Sequence, residues 1–123
     1  ASGEVRAENL GAALRIADAF LERYPGNRMG REMRGSVLYW AGRFQEAREE
    51  YENLREDYRK LRKSPERLPL GYYRATGNLA RVYAALGMRA EADARLAEWN
   101  RAERSGTGPW LPASLKEDLK ARR

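Results

Sequence analysis

The sequence has no cysteine and no histidine among its 123 residues. Without thiols there is no disulfide framework, no thiolate metal site and no cysteine nucleophile. Without imidazole, the commonest general base and metal ligand is missing. Lysine is scarce, since 20 of the 24 basic residues are Arg. No apolar run reaches the roughly 18 residues that a membrane-spanning helix requires. What is left is 42% hydrophobic and 34% charged, with 24 basic against 18 acidic residues, a net charge of +6 and a pI near 9.9. That size fits one domain around a single modest core. The composition suits cytoplasm and periplasm equally. Ala1-Ser2-Gly3 reads either as the processed end of an exported protein or as the boundary of an excised segment.

Helical periodicity fills the space these absences leave. Leu10, Ala13, Leu14, Ala17, Phe20, Leu21 and Tyr24 recur at three and four residues, which stacks them on one side of a helix. Pro25-Gly26-Asn27 ends that helix. The pattern predicts a second helix from about Met29 to Ala41 and a third from Phe44, with Ala47, Tyr51, Leu54, Tyr58 and Leu61 in register as far as Ser64-Pro65. A fourth covers about Pro69 to Leu86. A fifth spans Arg89 to Arg104 with Ala92, Leu96 and Trp99 on one stripe, and a short sixth runs from Pro112 to Ala121. No segment alternates with period two long enough for a sheet, so the expected class is all-α with about six helices.

Gly42-Arg43-Phe44-Gln45-Glu46-Ala47 and Gly87-Met88-Arg89-Ala90-Glu91-Ala92 share the pattern Gly-x-x-x-Glu-Ala, 45 residues apart. Ala13, Ala17, Phe20 and Pro25 are spaced like the second half of the same unit, with Ala13 lying 34 residues before Ala47. In these features the chain resembles the tetratricopeptide repeat, a helix-turn-helix unit of about 34 residues. The resemblance covers about Leu10 to Arg104. It places Gly35 and Ala80 at the small site of the first helix of each unit, and Ala47 and Ala92 at the small site of the second. Leu38 or Tyr83, with Tyr51 and Leu54 or Leu96 and Trp99, then fill the pairs. Arg31 and Arg34 stand where Trp and Leu are usual, Thr76 replaces an aromatic, and the closing Pro occurs once, as Pro25. The implied architecture is a short right-handed superhelix of antiparallel pairs. Residues 1–27 form an unpaired opening helix, 28–67 and 68–106 two repeats, and 107–123 a cap. The 11 extra residues around Tyr58 to Leu68 are expected to lengthen the third helix, by up to roughly 16 Å at 1.5 Å per residue, into a protruding hairpin.

Catalysis finds little support. Glu49, Glu50, Glu52, Glu56 and Asp57 alternate with Arg48, Arg55 and Lys60, as expected for pairing along a helix surface. No glycine-rich phosphate loop occurs, and Gly106-Thr107-Gly108 is too short and precedes Pro109. The expected role is non-enzymatic and needs no cofactor or metal.

Binding is better supported. First helices of this family line a concave groove, and the register places Met29, Glu32, Ser36, Tyr39 and Trp40 on its inner face, followed by Arg74, Gly77, Asn78 and Arg81. An aromatic shelf beside guanidiniums and a carboxamide suits a peptide or helix of a partner protein, because Arg pairs with carboxylates and Asn with peptide backbone. Trp40 is equally suited to packing on a neighbouring helix, and Arg81 is expected to be exposed. The family's carboxylate clamps use Lys and Asn over three units. Only Arg74 and Asn78 fall near such positions, so the resemblance does not imply binding of chaperone tails.

Two other surfaces offer alternatives. Arg59, Lys60, Arg62, Lys63 and Arg67 against Glu66 form a basic cluster near Tyr72 and Tyr73, suited to RNA or an anionic surface. The same residues also suit the C-terminal dipole of the third helix, and nucleic acid is the less favoured partner. The opening helix is apolar on more than one side, with Ile16 and Phe20 extending its stripe. Its Phe20 face is therefore a candidate for self-assembly.

Overall fold

The computed structural model describes residues 2–62, 64 and 68–104, with side chains from Glu8 onward. Five α-helices follow one another: α1 Ser2–Arg23, α2 Arg28–Trp40, α3 Phe44–Lys60, α4 Leu70–Ala85 and α5 Arg89–Arg104. No strand occurs among the described residues. Each helix packs on the next in the chain, and α2 also touches α4. The expected sixth helix, with Trp110, Leu111, Leu115 and Leu119, lies outside the described residues, as do Lys63, Arg67 and Glu66.

The turns explain why consecutive helices fold back on each other. After α2, the Arg43 N–H donates to the Leu38 carbonyl at 2.9 Å and the Gly42 N–H to the Tyr39 carbonyl at 3.0 Å. After α4, Met88 donates to Tyr83 at 2.8 Å and Gly87 to Ala84 at 3.1 Å. This paired pattern closes a helix end and requires a left-handed residue, supplied by Gly42 at φ 78° and Gly87 at φ 77°. Both Gly-x-x-x-Glu-Ala segments therefore make the same turn. The start of α2 is fixed by Asn27, whose side chain accepts from the Gly30 N–H at 2.9 Å.

Small residues lie where helices cross. A Cβ on Gly35 would come 2.8 Å from the Tyr51 ring, so the two helices meet with the aromatic ring laid on bare backbone. Ala47, Ala80 and Ala92 are buried, and Gly71 leaves the space filled by the Tyr58 ring. Around these crossings Leu38, Tyr39, Tyr51, Leu54, Tyr58, Tyr72, Leu79, Val82 and Tyr83 form one core, with Trp99 and Ala80 in a second cluster. Each fully buried large side chain contributes about 1.5–3 kcal/mol.

The third helix is shorter than the sequence pattern suggests. It ends at Lys60, and Leu61, expected to continue its apolar stripe, is 47% exposed. Of the extra residues, Tyr58 to Lys60 close α3 while Leu61, Arg62 and Leu68 lie outside any helix, and the described residues contain no protruding helical hairpin. Among the described residues Leu61 finds no burial, so continuing the helix would gain little packing energy there. The opening helix also differs from its expected stripe. Ala17 is buried, but Phe20 and Tyr24 are 37% and 48% exposed, because α2 is the one helix that packs on α1 among the described residues.

Candidate functional site

The residues expected on the inner face come from α2 and α4, and the structure brings most of them together. Tyr39 is buried while Trp40, at the end of α2, is half exposed, and their rings meet edge-on at 5.2 Å. The Arg81 guanidinium lies 4.2 Å from the Tyr39 ring centroid and 5.5 Å from that of Trp40. Its Nη2 donates to Asn78 Oδ1 at 3.0 Å, one turn back on α4. Arg81 is thus buried and paired, contrary to the exposure expected from its sequence position. Burial requires that a guanidinium find partners, and two aromatic faces and a carboxamide supply them. Trp40 is an exposed shelf backed by a cation and is not a core residue.

Glu32 and Arg74 join the two helices directly. Arg74 Nε and Nη2 donate to the two carboxylate oxygens at 3.0 and 3.1 Å, and the Tyr58 hydroxyl donates to the same carboxylate at 2.8 Å. The hydrogen bond to Glu32 raises the Arg74 pKa, and burial followed by the same carboxylate raises that of Tyr58. Burial likewise pushes the Tyr51 hydroxyl up, opposed by the nearby Arg81. Ser36 is half-buried beside them and Gly77 is buried. The polar residues expected to meet a ligand therefore bond to one another, and what this face presents outward is apolar. Met29, Met33 and Trp40 are 79%, 42% and 50% exposed, with Ser36 between them, at spacings of four, three and four residues.

The charges on α3 act across helices more than along one. Arg31 pairs with Asp57 and lies 3.5 Å from Glu50, and Arg34 reaches Asp18 on α1 at 2.8 Å. Through these two arginines, ionic links hold α2 on α3 and α1. Arg55 donates to Thr76 Oγ1 at 3.0 Å, to the Tyr72 hydroxyl at 2.5 Å and to Glu98 at 2.6 Å, tying α3 to α4 and α5. The buried Thr76 hydroxyl donates in turn to the Tyr72 carbonyl at 2.8 Å. Tyr83 donates to Glu52 at 2.6 Å, and burial, reinforced by that carboxylate, pushes its pKa up to about 12. Sequence spacing shows that Arg31, Arg55 and Glu52 lie on helix surfaces, but their partners on other helices lie 17 to 43 residues away.

The basic cluster is only partly described. Arg59 is bound by Glu56 through two hydrogen bonds of 2.9 and 2.5 Å, which hold the Glu56 carboxyl below its usual range, while Lys60 and Arg62 are exposed. Tyr72, buried against Arg55, is not a free stacking surface beside it. Among the described residues no group of three or more acidic side chains is placed to hold a metal ion, and no helix is long and apolar enough to cross a membrane. Comparison with family models, curated proteins and solved structures finds no match to this chain.

Proposed function

We propose that the chain is a short bacterial-type tetratricopeptide-like stack that scaffolds protein–protein contacts, receiving a peptide or helix of a partner along the inner faces of α2 and α4. The repeat register supports this reading, because the two Gly-x-x-x-Glu-Ala turns have the same hydrogen bonding, Gly35 meets Tyr51 where α2 crosses α3, and Ala47, Ala80 and Ala92 are buried. The observation that carries it is the ladder of Met29, Met33 and Trp40. Three large apolar side chains lie on one side of α2, beside a rigid polar floor that holds Trp40 in place. Methionine adapts to varied apolar partners and tryptophan is a frequent interface anchor. No catalytic role is assigned: Glu32, Glu50, Glu52, Asp57 and Glu98 are each engaged by an arginine or a tyrosine.

The test is affinity capture with the full chain and with Met29→Asp, Met33→Asp and Trp40→Ala, after circular dichroism has shown that the variants retain helicity. A partner held by the wild type and released by these variants supports the groove. A set of captured proteins that none of the three substitutions changes removes it.

A further inference from the structure

The apolar ladder on α2 continues onto α1. Asp18 and Arg34 mark one edge of the α1–α2 interface, and Phe20 lies against Gly30 at its other side. At about 100° per residue, Met33 on α2 and Ile16 on α1 both fall on the Phe20 side. Ile16, Phe20, Tyr24, Met29, Met33 and Trp40 are all exposed, and helical periodicity places them toward one side of α1 and α2, with Phe20 and Tyr24 in ring contact.

The repeat register shows what such a face receives. α1 matches α3 at an offset of 34, and α2 matches α4 at an offset of 45. The groove between α3 and α4 is already occupied, by α2. There Gly35 rests on Tyr51, Arg31 pairs with Asp57 and Glu50, and Glu32 pairs with Arg74. The equivalents of Glu50, Asp57 and Arg74 on the open face are Ile16, Arg23 and Met29. The open face repeats that seat in part, one unit earlier: its polar partners are changed, and Ala17, the equivalent of Tyr51, is small and already buried.

We infer that this seat takes an amphipathic helix supplied by a partner protein, with a wide apolar stripe and an acidic residue placed to meet Arg23. This rests on the reading of the chain as a partner-binding stack and specifies the partner. The acidic residue follows from charge complementarity: Asp57 meets an arginine of α2, and Arg23 in its place calls for a carboxylate. The apolar stripe follows from Met29 and Ile16 replacing Arg74 and Glu50. The element is helical because the polar floor offers little to an extended strand. Both oxygens of Glu32 are bonded to Arg74, and Asn78 Oδ1 to Arg81. An extended backbone on this face would leave buried N–H and C=O groups unsatisfied, whereas a helix bonds its own.

The probe is a phage-displayed random library of peptides about 20 residues long, enough for a stable bound helix, selected on the full chain. Enriched peptides are expected to carry apolar residues three and four apart with an adjacent Asp or Glu. They should lose at least about tenfold in affinity on Ile16→Asp or Met33→Asp. Arg23→Glu should weaken them comparably, and replacing the peptide's acidic residue by Lys should restore binding to that variant. Because Ile16 and Met33 are solvent-exposed, these substitutions spare the core, and circular dichroism checks that they do. Peptides that depend on Met29 and Trp40 but ignore Ile16 and Arg23, or that alternate with period two or contain proline, overturn the helix seat and leave the groove standing. Selection that yields no peptide sensitive to any of these substitutions overturns both. Light scattering that shows a dimer dissolved by Ile16→Asp assigns the seat to a second copy. A form of the protein with residues before Ala1 that no longer captures peptides assigns it to the same chain. Either result overturns the partner assignment.

Discussion

Glu32 on α2 and Arg74 on α4, 42 residues apart in sequence, are joined by two hydrogen bonds of 3.0 and 3.1 Å. This contact bridges α2 and α4 and draws Tyr58 of α3 into the same cluster. Arg74 retains substantial solvent exposure, so water screens the pair. A double-mutant cycle with Glu32→Gln and Arg74→Met in urea is expected to give a coupling of roughly 1 kcal/mol. A coupling indistinguishable from zero would mean that the two helices are held by packing alone.

The glycines at helix crossings separate by what faces them. Gly35→Ala drives a methyl group into the Tyr51 ring, which is fully buried and has nowhere to move. It is expected to cost about 1–3 kcal/mol despite the better helix propensity of alanine. Gly30→Ala meets the Phe20 ring, which is partly exposed and able to swing outward, so it should be neutral or stabilising by up to about 1 kcal/mol. Thermal melts of the two variants check the ordering. If Gly35→Ala is the more stable of the two, the close crossing of α2 and α3 is not as described.

Arg81 serves as part of the core. Arg81→Ala removes the cation from the Tyr39 and Trp40 rings and leaves Asn78 without its partner, and is expected to destabilise the fold by about 2 kcal/mol. Arg81→Lys should recover little of this, since an ammonium lacks the planar face that stacks on the rings. Acrylamide quenching should report a more mobile Trp40 in both variants, measured with Trp99 and Trp110 replaced by Phe.

Stability should fall in alkali. Tyr83 has its pKa pushed up to about 12 by burial and by Glu52, against about 10 in an unfolded chain. The folded state therefore favours the neutral phenol. The stabilisation is complete below about pH 10 and is lost as pH rises toward 12. Tyr51 is shifted in the same direction by burial and adds to the slope. Tyr83→Phe should flatten the loss of stability between pH 9 and about pH 12 in denaturant titrations. An unchanged slope would show that the Tyr83 hydroxyl is solvated.

Local sequence chemistry carried most of the helix boundaries. The limits of α5 are those expected from periodicity, and α2 and α4 differ by a residue at each end, because glycine turns and apolar spacing are properties of neighbouring residues. The end of α3 was not legible in the same way. Leu61 keeps the period of the stripe, yet it stays half exposed, so further turns would bury little. The candidate site was legible as a set of positions but not as a set of partners. Arg74, Asn78 and Arg81 have the residue types of ligand contacts, yet Glu32 and the ring of Tyr39 reach them first. Such pairings depend on which helices lie side by side, which spacing along one helix does not encode. The exposed Met33 carried a sequence signal that went unused, since it shares the stripe of Met29 and Trp40.

Because every helix leans chiefly on its sequential neighbours, the molecule resembles a row of linked segments more than a sphere. Contacts that are close in sequence form quickly, and such chains fold in microseconds to milliseconds. Loss of order can begin at α1, which among the described residues packs on α2 alone and has the least to hold, and advance inward one rod at a time. Hydrogen exchange should accordingly grade from fast in α1 to slow around α3, where Arg55 fastens two other helices at once.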